Sequence, residues 1–78
     1  MWWFYQKISE TDLIVRYSYA RESYEPDGEL EYNKHAKTVE LIKTSETTVN
    51  EYEIDKAMRK LFKVVKNGYP ETKMIAVG

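Results

Sequence analysis

Hydrophobic and polar residues alternate with a period of two through much of the first half of the chain. The run LIVRYSYAR, residues 13–21, keeps one face apolar with Val15, Tyr17 and Tyr19. Alternation over nine residues is typical of a half-buried β-strand. The preceding run WWFYQKIS, residues 2–9, is rich in aromatic residues, and only a short polar segment separates the two. We therefore predict a β-hairpin from these two runs.

Two more strands follow a strong turn sequence, EPDGE, at residues 25–29. Pro26 fixes a backbone angle suited to a turn, Asp27 can bond its own backbone, and Gly28 accepts a positive φ. The short alternating run ELEY comes next, and then TVELIKT follows a polar NKHAK segment. The pattern predicts a four-stranded antiparallel meander.

A helix with well-marked ends is predicted after the fourth strand. Asn50 is a good N-cap, and Glu53 three residues later completes a capping box. Val49 and Ile54 have the spacing of a hydrophobic staple across that cap. The NGYP sequence then places a glycine and a proline just past the helix. We therefore expect the helix to run from about residue 51 to residue 67.

The apolar residues of this helix cover an arc of about 160°, enough to pack on one face of a sheet. They are Ile54, Ala57, Met58, Leu61, Phe62, Val64 and Val65. The closing run KMIAVG is apolar at both parities, so we expect a last strand that is central or covered on both sides. The predicted fold is one α+β domain over residues 1–78, with two layers in the order β-β-β-β-α-β.

Composition limits what such a domain can be. The chain has 78 residues and no cysteine. A domain of this size buries only about 60% of its unfolded surface, and without disulfides it often gains stability from a second copy. The first apolar run is too short for a secretory signal, and nothing approaches the ~20 apolar residues of a membrane span. We expect a soluble, cytoplasmic protein that does not bind a membrane.

Candidates for chemistry are few. His35, the single histidine, lies in a polar turn beside lysines and has no acidic neighbour in sequence. Five acidic residues surround the second turn, namely Glu22, Glu25, Asp27, Glu29 and Glu31. Their spacing is not that of a calcium-binding loop. We interpret them as charges around a turn and on strand edges, where they suppress unwanted strand pairing. The chain also lacks phosphate-binding and nucleophile motifs. We therefore expect no catalytic residues, no metal and no cofactor.

The predicted helix carries a basic stripe on its solvent side. Its members are Lys56, Arg59, Lys60, Lys63 and Lys66. Such a stripe could contact phosphates, and strand tyrosines could stack on bases. The net charge of −1 gives no overall attraction to nucleic acid, and exposed lysine-rich helix faces are common. A nucleic-acid-binding accessory protein is therefore the alternative function.

The chain begins with four consecutive aromatic residues, Trp2, Trp3, Phe4 and Tyr5. A strand cannot place all four on one face. With a two-residue loop at positions 10 and 11, Trp2 and Phe4 join the core face. With a three-residue loop, Trp3 and Tyr5 join it instead, because a one-residue slip inverts every side chain.

In either register, the face opposite Tyr17 and Tyr19 keeps at least two large aromatic residues and Ile14. The single helix can cover only one face, and monomers rarely leave large apolar patches bare. We therefore predict an interface drawn from Trp2, Trp3, Phe4, Tyr5 and Ile14. The favoured function is a non-catalytic interaction module, either a homodimer through this face or the edge near residues 2–8, or a module that binds another protein.

Overall fold

The computed structural model describes residues 1–48 and 50–76, and within them the chain forms five strands and one helix. The elements are β1 (Trp2–Glu10), β2 (Ile14–Arg21), β3 (Gly28–Asn33), β4 (Thr38–Lys43), α1 (Glu51–Val64) and β5 (Thr72–Ala76). The strands form an antiparallel sheet in the order β4-β3-β2-β1-β5. The predicted α+β order, a meander followed by a helix and a last strand, is confirmed.

The core lies between one face of the sheet and α1. Alternate residues of the sheet point into it, and most are aromatic, so large rings rather than many aliphatic side chains fill the space. The sheet contributes Trp3, Tyr5, Val15, Tyr17, Tyr19, Leu30, Tyr32 and Ile75. From the helix, Ala57, Leu61 and Val64 are buried against them. This apolar stripe holds the helix on one face of the sheet and leaves the other face open.

The first hairpin has a register that the sequence did not predict. A bulge at Ile8 separates the pairs Lys7–Tyr17 and Ser9–Arg16, and the strands turn at residues 12 and 13. Both predicted loops, at residues 10–11 and 10–12, are therefore wrong. The face assignment of the three-residue alternative is nevertheless correct, because odd-numbered residues at the start of β1 face the core.

Thr11 explains the position of this turn. Its backbone N–H donates to the Ile14 carbonyl at 2.7 Å, and its side-chain Oγ1 accepts from the Ile14 N–H at 3.0 Å. The hydroxyl therefore closes the hairpin around Asp12 and Leu13, a contact that the hydrophobic pattern does not report.

The helix begins as predicted and ends earlier. Asn50 Oδ1 accepts from the Glu53 N–H at 2.9 Å, which confirms the N-cap. The predicted partner of Ile54 in the hydrophobic staple, Val49, lies outside the described residues. The helix ends at Val64 rather than near residue 67. Gly68, whose φ is +123°, therefore does not directly follow the last helical residue. Among the described residues, no helix is long and apolar enough to span a membrane.

The last strand occupies an edge of the sheet, so the expectation of a central or doubly covered strand is wrong. It pairs with β1 from Trp2–Ala76 to Gln6–Thr72. Its mixed apolar pattern has another cause, since Ile75 faces the core while Met74 lies on the open face. The edge near residues 2–8, predicted as a possible dimer contact, is covered by β5.

Three core tyrosines bind the helix and its flanking segments through their hydroxyls. Tyr5 donates to the Ala57 carbonyl at 2.7 Å, and Tyr17 donates to the Pro70 carbonyl at 2.7 Å. The Tyr19 hydroxyl accepts from the backbone N–H of Ser45 at 3.2 Å. These bonds satisfy the polar ends of rings whose bodies are buried.

Candidate functional site

Most of the open sheet face, on the side opposite α1, is polar. Arg16 Nη2 pairs with Glu31 Oε1 at 2.7 Å across β2 and β3. Farther along β2, the Ser18 hydroxyl donates to the Gln6 carbonyl at 3.1 Å. These paired polar groups make the middle of this face typical of a solvated sheet surface.

One corner of the same face differs, because it carries a cluster of large apolar side chains. The Tyr24 ring lies 4.8 Å from the Trp2 ring, tilted by 35°, and 5.2 Å from the Phe4 ring in an edge-on arrangement. The Tyr24 hydroxyl approaches Met74 Sδ at 3.7 Å. We call Trp2, Phe4, Tyr24 and Met74 the aromatic patch.

The side chains of the aromatic patch contact one another and are open to solvent. Tyr24 is 66% exposed and Met74 is 49% exposed, while Trp2 and Phe4 are partly buried beneath them. Ala20, which pairs with Phe4 across β1 and β2, is fully buried under this cover. Aromatic pairs at these separations attract one another beyond simple burial, which favours this arrangement of the exposed rings.

A short loop after β2 brings Tyr24 onto this face. Glu22 has a φ of +54°, so the chain reverses sharply where β2 ends. The backbone N–H of Glu25 then donates to Ser23 Oγ at 3.1 Å, a bond between the two residues on either side of Tyr24. The loop thus returns the Tyr24 ring over β1 rather than into solvent.

The predicted interface residues separate into three groups in the structure. Trp2 and Phe4 belong to the aromatic patch. Trp3 and Tyr5 are fully buried in the core, because the bulge and turn of the first hairpin direct them toward α1. They are therefore excluded from the contact surface that was predicted to include them.

Ile14 is on the open face but away from the aromatic patch. Ile14 is the first residue of β2. Trp2 lies at the opposite end of that strand, where its carbonyl accepts from the N–H of Glu22 at 3.0 Å. Sequence reasoning also missed Tyr24 and Met74. The available signals were an aromatic residue in an otherwise polar turn and the mixed parity of the last strand.

The basic stripe lies on the helix, across the sheet from the aromatic patch. Arg59 is neutralised in part by Asp55, whose Oδ2 accepts from Arg59 Nε at 2.7 Å. Lys56 Nζ lies 5.1 Å from the centre of the Tyr52 ring. Desolvation and then the nearby Lys63 lower the pKa of Lys60, and Lys56 and Arg59 act in the same direction. Lys63 and Lys66 are exposed.

The tyrosines that were expected to stack on bases are not available beside this stripe. Tyr5, Tyr17, Tyr19 and Tyr32 are buried between the sheet and the helix. The exposed rings of the aromatic patch face the other way. The strand tyrosines therefore offer no stacking surface beside the basic stripe, and the exposed ring next to it is that of Tyr52, on the helix itself.

Two further sequence candidates, His35 and Asp27, lie outside the strands and the helix. His35 is exposed, and its backbone N–H donates to Asn33 Oδ1 at 3.0 Å. Asp27 accepts from the Ser45 hydroxyl and from the Glu46 N–H, so it has a structural role between two loops. Over residues 1–48 and 50–76, no three acidic or histidine side chains gather where they could hold a metal ion.

Comparisons of the chain with protein-family models, with curated proteins and with solved structures give no match.

Proposed function

We propose that this chain is a non-catalytic interaction module that binds a second copy of itself through the aromatic patch. The observation that carries the proposal is the position of Tyr24. Its ring is 66% exposed and is held against Trp2 and Phe4 on the face opposite the helix. An exposed surface of mutually contacting aromatic rings is typical of a protein contact.

The side chains of the patch suit a protein partner. Tyrosine, tryptophan, phenylalanine and methionine are enriched at interfaces. The aromatic rings among them bury a large area for little loss of side-chain freedom. Tyr24 and Trp2 are already ordered by their mutual contact, so association costs less conformational entropy.

A second copy is the partner that the composition favours. A cysteine-free domain of 78 residues has a small core and gains stability when a partner covers exposed apolar area. A patch that meets its own copy about a twofold axis gives a closed dimer, the commonest oligomer. Because the chain uses no cysteine, we also infer that it works in the cytoplasm.

The test compares two tyrosines of nearly equal exposure. Tyr24 is 66% exposed in the patch, and Tyr52 is 64% exposed on the helix. Sedimentation equilibrium at micromolar concentration should give about twice the chain mass of 9.3 kDa for the unmodified protein. Tyr24→Ser should weaken association by at least about tenfold, as expected for an interface hot spot, whereas Tyr52→Ser should leave it unchanged.

Two results would contradict the proposal. One is an unmodified protein that stays monomeric up to several hundred micromolar. The other is an equal effect of Tyr24→Ser and Tyr52→Ser, which would point to a general change in solubility rather than to this patch. If the protein is monomeric but Tyr24→Ser abolishes its binding to a different protein, the aromatic patch remains a contact surface, and the proposal that the partner is a second copy is wrong.

Nucleic-acid binding by the basic stripe is the second candidate. The placement of Lys56, Lys60 and Lys63 on one helix favours it, because a bound phosphate would relieve the repulsion between these cations. Fluorescence anisotropy with mixed single- and double-stranded oligonucleotides at low salt tests it. Binding should fall steeply with salt and should weaken in Lys60→Gln more than in Lys37→Gln, a change outside the stripe. No binding at low salt removes this candidate.

A further inference from the structure

We infer, on the basis of the self-association proposed above, that two copies join by antiparallel pairing of their β5 strands, centred on Met74. The two five-stranded sheets would then form one continuous sheet. This places the contact at a specific edge and gives it a defined register.

The direction of the backbone groups in β5 follows from its pairing with β1. The Lys7 N–H donates to the Glu71 carbonyl at 2.7 Å, which makes this a hydrogen-bonded pair. In an antiparallel ladder, hydrogen-bonded and non-hydrogen-bonded pairs alternate. Lys73 and Ile75 therefore bond to β1, while Thr72, Met74 and Ala76 direct their N–H and C=O groups to the free edge.

This edge is less protected than the edge at the other side of the sheet. The outer strand β4 has a bulge at Ile42, and Glu40 and Lys43 add two charges of opposite sign. The β1–β5 pairing runs without a register shift, and Lys73 is the only charged residue within Thr72–Ala76. Bulges and charges are the usual means by which edge strands avoid pairing, and β5 has fewer of them.

The register centred on Met74 is compatible with the side chains of two identical strands. Met74 would exchange both backbone bonds with Met74 of the second copy, and Thr72 would pair with Ala76. Lys73 would lie opposite Ile75 rather than opposite another lysine, so no like charges face each other directly.

The same register connects the two aromatic patches. Met74 lies on the open face beside Phe4, its partner across β1 and β5, and it contacts the Tyr24 hydroxyl. In the paired edge the two Met74 side chains would lie next to each other on that face. The patches would then form one apolar surface across the twofold axis.

The charge distribution of the helix agrees with this arrangement. Glu53, in the first turn, pairs with Arg21 at one end of the sheet through an Nη1–Oε2 contact of 2.7 Å. Lys63, in the last turn, lines a cleft with Thr72 and Lys73 at the other end of β5. A twofold axis through Met74 reverses the strand direction. The acidic end of one helix therefore lies at the same end of the dimer as the basic end of the other.

Removal of a single edge N–H tests the inference. Total synthesis of the full chain with an N-methyl group on Met74 keeps every side chain and alters an N–H that the monomer does not use. The control is N-methylation of Val39, whose N–H also points to a free edge of the sheet. Asn33, the partner of Thr38, directs its carbonyl to the β4 side, where it accepts from the Lys37 N–H. Because hydrogen-bonded and free residues alternate, Val39 is a free one. The Met74 change should weaken dimerisation at least tenfold, and the Val39 change should leave it unaltered.

Hydrogen exchange gives a second measurement on the unmodified protein. The Met74 amide should become protected as protein concentration rises into the dimer range. A dimer in which this amide exchanges rapidly, or in which both N-methyl changes are silent, overturns the edge pairing. If Tyr24→Ser still weakens that dimer, the self-association through the patch stands and the edge register alone is wrong. A monomer at all concentrations contradicts both.

Discussion

The ring of Tyr19 lies directly over the backbone of Gly28, its partner across β2 and β3. A Cβ atom at position 28 would come within 2.7 Å of Tyr19 Cζ and 2.8 Å of Cδ1. The glycine that the sequence assigned to a turn with positive φ is instead the first residue of β3, where its lack of a side chain makes room for a core ring.

Gly28→Ala should lower the free energy of unfolding by about 2–3 kcal/mol, because the buried ring has no space into which to move. Urea denaturation measures the loss. The same change in a Tyr19→Leu background should cost less than half as much, since the clashing atoms are gone. An equal cost in both backgrounds would show that backbone strain, and not the ring, limits this position.

The sequence predicted the order of elements because the signals at their ends are local. Pro26, Asp27 and Gly28 mark a turn, and Asn50 with Glu53 marks a helix start, whatever the rest of the chain does. The hairpin register depended instead on the Ile8 bulge, which shifts the pairing without changing the hydrophobic pattern.

The candidate site was predicted only in part for a related reason. Trp2 and Phe4 could be identified as one of two possible pairs. Tyr24 reaches the patch through a loop conformation, and Met74 reaches it because β5 joined β1 rather than β4. A strand that follows a helix can pair with either free edge, and periodicity does not distinguish them.

Stability should fall as pH rises above 10. Burial, followed by the nearby Glu10 and Glu71 carboxylates, raises the pKa of Tyr17 to about 12, and burial also raises the pKa of Tyr5. The unfolded tyrosines lose their protons near pH 10. Between pH 10 and 12 the folded protein therefore binds more protons than the unfolded chain, so its stability is lost as pH rises.

Urea denaturation between pH 9 and pH 11.5 measures this loss. Tyr17→Phe should reduce the slope of unfolding free energy against pH, although its stability at pH 8 is lower. A slope that is the same in the variant would exclude Tyr17 as a source of the pH dependence of stability.

Asp27→Asn should lower the free energy of unfolding by about 1 kcal/mol at neutral pH, because the carboxylate accepts bonds from the Ser45 hydroxyl and the Glu46 N–H. The Ser45 bond is the main cause that lowers the pKa of Asp27. The folded pKa lies below the unfolded one, so this contribution is present above about pH 4 and is lost as pH falls through the folded pKa.

Thermal denaturation at pH 7 and pH 2.5 checks this prediction. The difference between Asp27→Asn and the unmodified protein should shrink in acid, and Glu25→Gln, an exposed neighbour, should have little effect at either pH. A difference that does not depend on pH would contradict a role for the charge.

The three tyrosine hydroxyls that reach from the sheet to the segments around the helix have a mechanical consequence. Apolar contacts alone would let a helix slide along a sheet at modest cost, whereas hydrogen bonds are directional and fail within about an ångström of displacement. Tyr5, Tyr17 and Tyr19 hold the middle of the helix and both of its flanking segments. Sliding would break all three bonds together, so helix and sheet should open as one cooperative unit.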